Sequence, residues 1–173
     1  MPAIKSVKTF AFAATISAAL LVVVSCSNID CPLSNTVASK YVFYNTANGA
    51  AATFTDTLTV RAMGSDTVLY NRGLNLSEVD IPMSYRAAAD TLLLDISDTE
   101  AKRTDTLIVA HTNEAHFESI DCSASMFHQI TSATLRPGTG GGSGLTRIDS
   151  VAVNKRNVNY NVVENIKVFI TAP

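Results

Sequence analysis

The sequence predicts an all-β fold, an antiparallel β-sandwich of broadly immunoglobulin-like architecture, in a single domain over residues 39–173. Three observations predict it. Beyond Cys31 the hydrophobic period is close to two: in residues 53–63, Phe54, Leu58, Val60 and Ala62 share one face and Thr53, Thr55, Thr57, Thr59 and Arg61 the other. Turn-forming pairs (Asn48-Gly49, Gly64-Ser65, Arg72-Gly73, Ser97-Asp98, Thr112-Asn113) interrupt the chain at short intervals. No stretch of about ten residues combines helical spacing with helix caps.

In chain order, residues 1–25 come before any fold and read as a signal peptide. Lys5 and Lys8 lead into an uncharged run whose apolar centre, 10–24, is about 15 residues long. That is the length of a secretion-signal core and short of the roughly 20 residues a helix needs to cross a bilayer. Val23-Val24-Ser25-Cys26 has the form of a bacterial lipobox, so Cys26 is the expected lipidation site and residues 26–38 the lipidated N-terminal segment. Several acyl chains, at about 0.8 kcal/mol per buried CH₂, make a stable anchor. Ser27 is not the aspartate that retains lipoproteins in inner membranes. The single acid in Ser27-Asn28-Ile29-Asp30 falls short of the acidic cluster used for surface export in Bacteroides-type organisms. The expected address is the periplasmic face of the outer membrane rather than the cell surface.

Further period-two strands are expected at 41–44, 67–70, 74–83, 91–96, 106–110, 116–120, 126–135, 148–153 and 166–170. Pro82 marks an edge strand or a bulge, since it cannot donate to a central ladder. Residues 136–147 (RPGTGGGSGLTR) hold five of the chain's eight glycines, yet no lysine follows as a phosphate loop requires. A mobile loop between strands is expected there.

With Cys26 lipidated, Cys31 and Cys122 remain, an even pair that reads as a disulfide in an oxidising compartment. A bridge closing about 90 residues is worth near 4.6 kcal/mol in the chain-entropy picture. Free thiols and a reactive pair are the alternatives, but no C-x-x-C supports redox chemistry. The chain has 13 basic and 15 acidic residues, and losing Lys5 and Lys8 with the signal leaves 11 against 15. That excess of acid excludes nucleic acid as a partner.

Cys31-Pro32-Leu33-Ser34-Asn35-Thr36-Val37, the Asp-Thr-Leu strands, His111-Thr112-Asn113, and Phe117-Glu118-Ser119-Ile120-Asp121-Cys122 carry a resemblance, as do Ile148-Asp149-Ser150-Val151 and Glu164-Asn165-Ile166-Lys167-Val168-Phe169. The mature chain resembles a family of small Bacteroides-type lipoproteins of unknown function. The resemblance implies a lipidated envelope protein and carries no activity with it.

His111-Thr112-Asn113-Glu114-Ala115-His116 has the spacing H-x-x-E-x-H, which matches neither H-E-x-x-H nor H-x-x-E-H. A sandwich rim gathering His111, His116 and His128 is the one metal site the sequence offers, and it lacks metal-ligand spacing. No G-x-S-x-G elbow or calcium loop occurs. The expectation is a protein that is not an enzyme and needs no cofactor: a structural, adaptor or binding module with an envelope protein or glycan as partner. A glycan- or ligand-binding accessory role, with Tyr41, Tyr44, Tyr70, Tyr85 and Tyr160 as the phenolic candidates, is one alternative. A metal-dependent enzyme is the other. Asp-Thr/Ser-aliphatic triplets end in or contain Thr57, Thr67, Thr91, Thr106 and Ser150, more often than composition predicts. They resemble acceptors for O-linked glycans on exported proteins, and equally the way a half-buried strand begins.

Overall fold

The computed structural model describes residues 31, 36–140 and 144–173. The signal peptide and Cys26 lie outside them. All ten strands belong to the compact unit Pro32–Pro173: β1 (Ala38–Asn45), β2 (Thr57–Ala62), β3 (Val68–Gly73), β4 (Glu78–Pro82), β5 (Ala89–Ser97), β6 (Lys102–His116), β7 (Ser125–Arg136), β8 (Arg147–Val153), β9 (Asn157–Val158) and β10 (Glu164–Thr171). They form two sheets, one ordered β4-β1-β10-β8 and the other β3-β2-β5-β6-β7-β9. Every pairing is antiparallel except β1 with β10, which run parallel.

The alternation read from the sequence places one core between the sheets. Tyr41, Phe43, Ile166, Val168 and Ile170 from the smaller sheet join Leu58, Val60, Leu92, Leu107 and Val109 from the larger in a single buried cluster. Pro82 closes β4, an edge strand, where its missing N–H costs no ladder bond. The Arg72-Gly73 signal is a bulge in edge strand β3 rather than a break: Leu58 pairs with Gly73 and Val60 with Tyr70, and Arg72 takes φ 51°.

The region 106–120 departs from expectation. The two short strands expected there are one fifteen-residue strand, β6, and residues 117–120 lie beyond its end. Asn113 makes no turn because its amide is spent on tertiary bonds, donating from Nδ2 to Tyr85 O (3.1 Å) and Ala87 O (2.9 Å). The chain is instead adjusted by a bulge in the β6–β7 ladder, where Ala110 pairs with Ser132 but His111 with Ile130. Arg156 Nη1 donates to the carbonyls of Ile130 and Thr131 at 2.9 Å, satisfying acceptors the bulge leaves open. Strand β9, two residues that pair beside it, has no period to betray it in the sequence.

A third bulge joins the sheets. Asn165 is passed over between the pairs Lys40–Glu164 and Tyr41–Ile166. Its buried side chain accepts from Lys40 N and donates to Lys155 O and Asn157 O, linking β1 to the entry of β9.

The described ends of the glycine-rich segment are pinned. Asp105 is fully buried and paired with Arg103 (Nε to Oδ1, 3.0 Å), itself 7% exposed. Gly138 N donates to Asp105 Oδ1 at 2.8 Å, and Arg103 Nη2 donates to Thr146 O at 3.0 Å. Thr146 N donates in turn to Asp56 Oδ2 at 2.6 Å, and Leu145 is buried in the core. Gly138 is obligatory, since a Cβ there would stand 1.9 Å from Thr104 O. Removing one partner of a buried pair costs about 3–5 kcal/mol because the other charge is left uncompensated. Arg103→Met should lower the urea midpoint accordingly, and Arg103→Met/Asp105→Asn should recover much of the loss, as Asn still accepts from Gly138 N. Equal midpoints for the single and double variants would contradict this account.

Candidate functional site

The inner row of β6 reads Arg103, Asp105, Leu107, Val109, His111, Asn113, polar at both ends and apolar in the middle. Its far end brings two buried histidines together, His111 and His128. Cross-strand pairing sets Asn113 opposite His128 of β7. Asn113 Oδ1 lies 2.7 Å from Nδ1 of His111 and 2.7 Å from Nδ1 of His128. Because the amide nitrogen of Asn113 faces two carbonyls, its oxygen is the atom between the imidazoles, and both Nδ1 atoms donate to it. The rings stand edge to face with centroids 5.0 Å apart.

Both Nε2 atoms are buried without a hydrogen-bond partner. His111 Nε2 lies 3.2 Å from Asp90 Oδ2 without a hydrogen bond between them, a contact that becomes an ion pair only when the imidazole is protonated. Asp90 Oδ2 is instead held by the backbone N–H of Ser84, at 3.1 Å. Burial, followed by the charge of His111, pushes His128 down to about 4, against a smaller opposing pull from Asp90. Asp90 also lines a cleft of about 420 Å³ with Met63, Leu69, Pro82, Met83 and Ala87. The chain Asp90–His111–Asn113–His128 therefore runs from that cleft into the interior.

The structure divides the three histidines. His116 is not with the other two: it stacks on Phe127 (4.3 Å, 13°), with Tyr160 edge-on to Phe127 at 5.0 Å. Among the described residues no three metal-type side chains converge. Phe127 borders a polar cleft of about 230 Å³ with Glu114, Gln129, Asn157 and Asn159. A neighbouring cleft of about 360 Å³ shares Gln129, Asn157 and Asn159 and adds Lys155 and Asn161. This amide-lined surface escaped the sequence reading because its residues come from three strands and carry no motif. Of the phenols weighed as candidates, Tyr160 is exposed beside it, edge-on to Phe127, whereas Tyr41 is buried in the core.

Four of the five aspartates in the Asp-Thr/Ser triplets hold a hydrogen-bond or ion-pair partner. Asp56 holds Thr146 N, Asp90 holds Ser84 N, Asp105 pairs with Arg103, and Asp149 accepts from Thr46, Thr171 and Arg147. Thr57, Thr91 and Thr106 lie half-buried within strands, while Thr67 and Ser150 are exposed. Cys31 and Cys122 are disulfide-bonded.

Fold and site together define an all-β protein of two sheets with a disulfide-distance cysteine pair and buried polar networks at both ends of its core. Residues 57–170 match the family of unknown function DUF6452, and the chain belongs to that family. No curated protein and no solved structure matches it.

The lowered His128 has a consequence for acid stability. Its ordinary value of 6.5 holds in the unfolded chain and about 4 in the fold. Between these the unfolded chain binds the extra proton, so the contribution of His128 to stability is complete above pH 6.5 and is lost as pH falls toward 4. Urea midpoints of the wild type should fall more steeply across that window than those of His128→Gln. Parallel pH profiles would show that His128 is not the group responsible.

Proposed function

We propose that the protein is a lipid-anchored envelope protein of Bacteroides-type bacteria whose domain, an immunoglobulin-like sandwich in its layering, serves as a non-enzymatic structural, adaptor or binding module. The observation that carries this reading is the cysteine set. Cys26 stands in a lipobox, and five residues later Cys31 belongs to a disulfide-distance pair, which suits an oxidising compartment. The outer membrane is the anchoring site and the periplasmic face the side. Intact mass of the protein from its own host should show cleavage before Cys26 and a diacylglyceryl-type addition. Cys26→Ala should move the protein out of the membrane fraction and abolish any crosslinks that depend on anchoring. Unchanged partition of that variant would overturn the reading. The same mass spectrum tests O-glycosylation, for which Thr67 and Ser150 are the accessible acceptors.

The aromatic group beside the amide-lined cleft favours a second reading, in which the module holds a glycan. Planar amides suit sugar hydroxyls, and an exposed phenol over a stacked pair suits a sugar face. Tyr160→Ala should then weaken binding of an envelope glycan about tenfold, near 1.4 kcal/mol, by calorimetric titration. Identical affinities would remove the cleft from consideration.

A further inference from the structure

We propose that the loop between β6 and β7 rests, through Phe117 and Ile120, in the interface of the bilayer that holds the lipid anchor, so that the membrane grips the domain at a second point. The inference rests on the anchor at Cys26 proposed above. Ile120 is 97% exposed and Phe117 62%, the two most exposed large apolar side chains among the described residues. They lie just past the last residue of β6 and contribute nothing to the core cluster.

Chain length supplies the occupant. Cys122, two residues past Ile120, is buried and disulfide-bonded, and the exposed Cys31 is disulfide-bonded too. From Cys31 to Cys26 is five residues, at most about 18 Å of fully extended chain. A disulfide adds about 6 Å between its Cα atoms. In any conformation, then, the lipidated residue stays within roughly 24 Å of Cys122. The loop carrying the two exposed apolar side chains is tied to the membrane more closely than the length of a typical domain, and a lipid interface is the apolar phase within its reach. A bilayer surface accepts such side chains to a shallow depth while flanking polar groups stay hydrated. Glu118, Ser119 and Asp121 supply those polar groups, and Glu118 Oε1 is 3.1 Å from His116 Nε2. Two carboxylates make a strongly anionic surface unfavourable, so the surface assigned is zwitterionic.

The chain has no tryptophan, so a single introduced indole reports its own surroundings. Ile120→Trp and Phe117→Trp are placed separately in the full lipidated protein, reconstituted in phosphatidylcholine vesicles whose acyl chains carry bromine. Leu74→Trp, exposed after the opposite edge strand β3, is the reference. Emission from both loop variants should shift to the blue and be quenched about twofold more than from the reference. Anionic lipid should reduce the difference. Quenching equal to the reference, in protein whose mass carries the lipid, overturns the inference and leaves the anchor standing. A mass without lipid overturns both together.

Discussion

The inner face of β6 carries a constraint from which much of the surrounding structure follows. Arg103, Asp105, His111 and Asn113 enter the interior on the same row as Leu107 and Val109. An unpaired polar group there costs kilocalories, so the chain around each end of the row is shaped by the need to supply partners. At one end these are Gly138 N and Thr146 O, which fix the two arms of a glycine-rich connection. At the other they are the carbonyls of Tyr85 and Ala87 and the imidazole of His128. The apolar middle of the strand provides the driving force, and the polar ends decide which loops lie where. Such pairs are often worth no more in net stability than a hydrophobic replacement, and their value here is in choosing one arrangement.

Much of the fold was legible because burial on one face imposes a period of two on the sequence. Residues 91–96, 126–135, 148–153 and 166–170 all fall within observed strands, and Pro82 sits on an edge. What escaped were cases where a side chain works over long range. Asn113 has the local chemistry of a turn, but its amide satisfies two carbonyls 26 and 28 residues away, and that outweighs the local preference. The aspartates of the repeated triplets also have roles that spacing does not show: Asp56, Asp90, Asp105 and Asp149 each close a different contact. The pairing of His111 with His128 depends on a one-residue bulge in the β6–β7 ladder, and a register of that kind leaves no mark on spacing. His116, nearest to His111 in sequence, is therefore the histidine that stands apart from it.

The two faces of the larger sheet have different chemical character. Its inner side is committed to the core and to the buried polar groups at its two ends. On its outer side Gln129 and Asn157 line the clefts without belonging to the core cluster, beside Phe127, which packs against it.

The parallel pairing of β1 with β10 has a bearing on the order in which the molecule is assembled. The centre of the smaller sheet joins the first strand made to the last, with Lys40 beside Glu164. Until β10 emerges, β1 has only β4 as a neighbour and β8 has none, and a lone two-stranded ribbon is marginal in water. The hairpins of the larger sheet, β2–β3 and β5–β6–β7, join residues near in sequence and can form while synthesis continues. The domain thus stays half-built, with one sheet's edges open, through most of its time as a nascent chain. It becomes committed to its native topology only with the final strand.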